Sequence, residues 1–130
     1  MYIFSHIEIG ISNKSTIIMD AEKKVQEVNR IFKESGKDNN EFTDAFMKFI
    51  DATMANGALD TKTKELIALA LSIAARCGWC ISYHVNQAIK AGATRKELME
   101  AGYVTVLMYG SQALMEMNDL LDAINQFEIK

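Results

Sequence analysis

Apolar positions recur at helical spacing along almost the whole chain from Asp20 onward. Val25, Val28 and Phe32 fall on one face, with Ile31 at its edge, while Lys and Glu fill the other. With Asp20 as a cap, the spacing predicts a first helix from Asp20 to near Gly36. The polar stretch SGKDNN then reads as a turn. Asn40 is placed to cap a second helix in which Phe42, Ala45, Phe46, Phe49 and Ile50 recur, with Gly57 just beyond its end. A third helix is predicted from Asp60 or Thr61 to about Ala75. Its ELIALALSIAA core is apolar on nearly every side, so it must be buried all round, inside the domain or against another subunit. A fourth helix starts around Cys77 and ends at Gly92. Thr94 and Glu97 form a T-x-x-E capping box for a fifth. Gly110 and Ser111 separate that helix from a sixth, which carries Leu114, Met117, Leu121, Ile124 and Phe127.

The expected fold is therefore all-α, with about six helices. Residues 1–18 do not share the pattern. Ile3, Phe4, Ile7, Ile9 and Ile11 hint at an extended segment, and Met19 stands directly before a strong helix start. We expect an N-terminal extension over 1–18, with Met19 an alternative start, and a single helical domain over 19–130.

Composition narrows the function. The chain has 130 residues, 49% of them hydrophobic, which suits one domain with its own core. It has no proline, which fits a largely helical chain. A net charge of -3 without a basic cluster argues against a nucleic-acid partner. The most apolar stretch, Leu66 to Val85, carries Arg76 in its middle, which argues against a membrane span. The start lacks the features of a secretory signal, so a cytoplasmic protein is expected.

The chemistry lies in CGWCISYH, residues 77 to 84, which holds the two cysteines of the chain. In a reducing cytoplasm such a pair is more often catalytic or metal-binding than a permanent staple. A helix starting at Cys77 would stabilise a thiolate on its first turn. CxxC spacing brings the sulfurs within bonding reach, so that one can attack and the other can resolve the product. His84, one turn after Cys80, could accept a thiol proton. Glu65 is the candidate to orient that histidine. On one continuous helix the two would lie about 28 Å apart. A hairpin turning between Ala74 and Ala75 would set them face to face, and would also partner a carboxylate on an otherwise apolar helix. Cys77, Cys80 and His84 are also three conceivable zinc ligands, but no good fourth is evident. No cofactor or metal is expected.

Glu65, Cys77, Cys80 and His84 reproduce the pattern E-x11-C-x2-C-x3-H. With this pattern on a hairpin of apolar helices, the chain resembles the alkyl hydroperoxidase D-like (AhpD-like) branch of the carboxymuconolactone decarboxylase family. The resemblance runs from roughly Asp20 to Phe127 and is strongest from Glu65 to Leu98, where GATRKEL resembles the family's turn into the next helix. It implies an orthogonal helical bundle, with the CxxC on a central hairpin, assembled into trimers or hexamers. It implies hydroperoxide reduction with Cys80 peroxidatic, Cys77 resolving, and His84 and Glu65 as a proton relay. A dihydrolipoyl or thioredoxin-like dithiol would restore the pair. One departure is Trp79, where the well-studied peroxidase member has a histidine. Tryptophan cannot shuttle a proton, so general protein disulfide reduction competes with peroxide reduction. Lactone decarboxylation, and a zinc-stabilised or purely structural oligomer, are the remaining alternatives.

Overall fold

The structure, a computed structural model, describes residues 20–128; the extension expected over 1–18 lies outside them. The described residues form six helices and no strand: α1 Asp20–Asp38, α2 Asn40–Met54, α3 Thr61–Ala74, α4 Gly78–Lys90, α5 Arg95–Tyr109 and α6 Ser111–Glu128.

Short polar side chains set several of the starts by satisfying N–H groups that the first turn leaves open. Asn39 Oδ1 accepts from the Phe42 N–H at 3.0 Å, and Asp60 Oδ1 from the Thr63 N–H at 2.7 Å. Thr94 and Glu97 form the reciprocal capping box. The cap of α2 is thus Asn39 and not Asn40. The expected polar turn shrinks to that one residue, because the helical ladder runs on through Gly36 until the Asn39 N–H reaches the Ser35 carbonyl at 2.8 Å. α2 also stops earlier than expected. Ala55 is its extended end residue, and Gly57 turns back to the Leu59 carbonyl instead.

α3 and α4 end in the same way. After α4, Gly92 takes a left-handed φ of 92°, and the N–H groups of Gly92 and Ala93 bond to the carbonyls of Ile89 and Ala88. After α3, Arg76 and Cys77 bond to Ile73 and Ser72 in the same register. The left-handed residue there is Arg76, with φ 56°. This turn reverses the chain, so that α4 returns along α3.

The core lies among α3, α4, α5 and α6, where Leu69, Ile73, Ile81, Val85, Leu98, Leu120 and Ile124 are fully buried. α1 lies across α4 and α6. α2 has no buried residue. It is held by the stacked rings of Phe32 and Phe46, 5.6 Å apart, and by Lys64 and Thr61, which reach the carbonyls at its end. Among the described residues α3 is not buried all round: Ile67 and Leu71 are exposed, as are Val104, Leu107 and Met108 of α5, which packs against it. On α6 the buried stripe is Ala113, Met117, Leu120, Ala123 and Ile124, which leaves Leu114 exposed and Leu121 partly covered. Among the described residues, no helix is long and apolar enough to cross a membrane.

Candidate active site

α4 begins at Gly78, which makes Cys77 its cap. The Cys77 sulfur accepts from the Cys80 N–H at 3.2 Å, the position that an oxygen occupies at the starts of α2 and α3. A thiolate there would gain both this donor and the positive end of the helix. Cys80 stands on the first turn. The two sulfurs are joined as a disulfide, with Cα atoms 5.1 Å apart, inside the span such a bond requires. Gly78 lies between them, against the ends of the Asp119 and Lys24 side chains. A Cβ there would sit 2.9 Å from Asp119 Oδ2 and 3.1 Å from Lys24 Nζ. Both atoms are the ends of flexible side chains that can shift, so the site favours a small residue without demanding glycine.

One turn beyond Cys80, His84 Nδ1 lies 2.7 Å from Glu65 Oε2 across the α3–α4 hairpin. Glu65 is only 5% exposed, and the imidazole is its partner. An ionised carboxylate can only accept, so in a neutral imidazole bonded to it Nδ1 carries the proton and Nε2 the lone pair. That is the tautomer a base needs. The hairpin thus brings together the residues that sequence spacing singled out: Cys77, Cys80 and His84 on α4 and its cap, and Glu65 behind them.

Cys80 and His84 open into a cavity of about 350 Å³. Val28 and Phe32 of α1 and Phe46, Phe49, Ile50 and Met54 of α2 form its apolar walls. Spacing alone does not reveal these walls. The phenylalanine period of α2 is visible, but a packing face and a cavity wall look the same in sequence. Trp79 closes one side. It is half exposed, and its indole N–H donates to Glu27 Oε2 at 2.7 Å. Trp79 also borders a second hollow, lined by Glu27, Arg30, Glu34 and Asp38. Tyr83, not singled out by the motif, also lines the cavity. Burial, and then the negative charges of Glu65 and Asp51, push its phenol above the ordinary value. Among the described residues no group of three or more His, Cys, Asp or Glu side chains is arranged to hold a metal ion.

The class these features define is a small all-helical protein with a CxxC at the turn of a helical hairpin and a carboxylate–histidine pair beside it. The chain belongs to the carboxymuconolactone decarboxylase family, whose profile matches residues 40–123. A crystal structure of an apo family member from Legionella pneumophila superposes with a TM-score of 0.74 at 34% identity, over 84% of this chain and 95% of that one. Uncharacterized protein 4 in the cox locus of Paracoccus denitrificans is 38% identical over 85 residues, 65% of this chain and 77% of its own. Alkyl hydroperoxide reductase AhpD of Coxiella burnetii is 35% identical over 57 residues. That likeness is regional, covering 44% of this chain and 32% of the reductase.

Proposed function

We propose that this protein is a thiol-dependent oxidoreductase that reduces hydroperoxides through Cys80 and Cys77. The observation that carries the reading is His84, bonded to the buried Glu65 at 2.7 Å and opening with Cys80 into one apolar cavity. The regional likeness to AhpD lends support. In the reduced protein His84 Nε2 takes the Cys80 thiol proton, while Glu65 holds the Nδ1 proton and stabilises the imidazolium. The Cys80 thiolate attacks the terminal peroxide oxygen, and the O–O bond breaks. The departing alkoxide takes the proton from His84 and leaves as an alcohol. Cys80 is now a sulfenic acid. Cys77 attacks its sulfur, one water leaves, and the Cys77–Cys80 disulfide forms. A dithiol donor, dihydrolipoyl or thioredoxin-like, takes over the disulfide and returns two protons and two electrons to the pair. A reducing compartment such as the cytoplasm would sustain the cycle. The catalytic unit in this reading is the helical domain over 19–130.

The relay is tested by the rate of thiol loss in reduced protein mixed with an organic hydroperoxide. His84→Gln is expected to slow that step by about 10²- to 10⁴-fold, the usual yield of a positioned base. Glu65→Gln should slow it less, because the imidazole remains but its tautomer is no longer fixed. Rates equal to the unmodified protein in both variants would contradict the relay.

A second reading has its own observation. Cys77 is the sulfur at the helix cap, which favours it as an attacking thiolate in exchange with protein disulfides. Under that reading Cys77→Ser abolishes disulfide reduction, whereas in peroxide chemistry Cys77→Ser still consumes one equivalent at Cys80. Decarboxylation of a lactone passes no electrons to sulfur, so it predicts unchanged turnover when both cysteines become serine.

A further inference from the structure

We propose that Tyr83 is a further catalytic residue of this site, its phenol O–H donating a hydrogen bond to the leaving oxygen of a hydroperoxide attacked by Cys80. The inference rests on the peroxide reading above and adds a residue to it.

Geometry carries it. Residues 80, 83 and 84 are i, i+3 and i+4 on α4, so Tyr83 and His84 sit side by side one turn beyond Cys80. All three line the same cavity. The rings of Tyr83 and His84 meet edge to face, with centroids 5.2 Å apart, while Glu65 holds the imidazole from behind. The Tyr83 ring therefore stands beside the base, on the wall of the space a substrate would fill.

The other donors of that lining are already engaged. The Trp79 indole N–H is bonded to Glu27, and the Thr53 hydroxyl to the Phe49 carbonyl at 2.7 Å. The Tyr83 hydroxyl bonds to none of the described residues. Apart from the reacting Cys80–His84 pair, it is the uncommitted side-chain donor of an otherwise apolar wall. Burial and the neighbouring carboxylates hold its proton on, so it stays a donor at neutral pH.

The chemistry needs such a donor. As the Cys80 sulfur bonds to the terminal oxygen of R–O–OH, the O–O electron pair moves onto the RO oxygen. Sulfur is oxidised to the sulfenic acid and the peroxide is reduced to the alcohol. The proton that completes the alcohol comes from His84, which took it from Cys80; Tyr83 keeps its own. Negative charge on the RO oxygen is small in the bound peroxide and grows toward the transition state. A hydrogen bond placed there strengthens as the reaction proceeds and so lowers the barrier.

Tyr83→Phe removes one oxygen and keeps the ring and its contact with His84. The experiment compares two rates on reduced protein: thiol oxidation by cumene hydroperoxide, and thiol reaction with a nitrophenyl disulfide reagent, which releases a thiolate and no alkoxide. The ratio of the first to the second is expected to fall about 10- to 100-fold, below the full loss of an oxyanion donor because the cavity is partly open. Across hydroperoxides whose alcohols differ in acidity, the fall should be steepest for the least acidic alcohol. A ratio equal to that of the unmodified protein, or an equal drop in both rates, would overturn the assignment, since a packing role moves both reactions together. Failure of the unmodified protein to lose thiols to any hydroperoxide would sink the underlying peroxide reading as well, so the two failures are distinguishable.

Discussion

At the residue scale, the turn that presents the cysteines is built on an unfavourable residue. Arg76 stands in the left-handed region where the matching turn after α4 has Gly92. A Cβ in that conformation costs roughly 1–2 kcal/mol, and glycine's extra chain entropy returns roughly 0.5–1 kcal/mol of that on substitution. Arg76→Gly is therefore expected to stabilise the fold by about 0.5–1 kcal/mol, read as a higher urea midpoint. An unchanged or lower midpoint would mean that the arginine side chain offsets its own strain. Asp122 gives a pH-dependent case. Burial, then the charges of Asp119 and Asp20, push its carboxyl up. The folded state thus holds this proton more tightly than the unfolded chain, so ionising Asp122 weakens the fold as pH rises through its raised value. Asp122→Asn should raise the melting temperature at neutral pH. The gain should vanish in acid, below the ordinary aspartate value of 3.8. A gain that persists unchanged into acid would contradict the electrostatic cause.

At the scale of elements, α2 differs from its neighbours. It buries no residue and holds to the rest by stacked rings and a few bonds at its end, yet it supplies much of the cavity wall. Few buried contacts mean a low local opening energy. Amide hydrogen exchange should therefore be fastest in α2 and slowest in α4, where Ile81, Val85 and Ala88 are fully buried. Equal protection of α2 and α4 would show that something else holds the wall in place. The same contrast explains what was legible in the sequence. The starts at Asp60 and Thr94 could be read because a cap is a local bond between residues three apart. The meeting of Glu65 and His84 could be read because hairpin arithmetic needs only the position of the turn. The capping asparagine was misplaced by one, since either neighbour has the right chemistry. The walls contributed by α2 and the Trp79–Glu27 bond depend on how distant helices lean on one another, which no local pattern encodes.

At the scale of the whole molecule, the apolar face of α3 and α5 is unpartnered among the described residues. Leu71 is 63% exposed and Leu107 81%, with Val104 and Met108 beside them. Contiguous apolar surface of this kind marks an association site. We expect the protein to assemble into a trimer or hexamer, with light scattering giving the corresponding multiple of the chain mass. Leu107→Glu together with Leu71→Glu should lower that mass, because each buries a charge in an apolar contact. A monomer mass for the unmodified chain would contradict the assembly. The cavity beside Cys80 is built within one chain, so a dissociated double variant should retain the thiol chemistry.

The most direct test of the whole account is a thiol count under denaturing conditions, with intact mass, on fully reduced protein before and after one equivalent of an organic hydroperoxide. Rapid loss of both thiols with a mass decrease of two hydrogens is the predicted result, since it places a Cys77–Cys80 disulfide on the chain at the expense of the peroxide. Two thiols that survive untouched would contradict it and return the cysteine pair to a structural role.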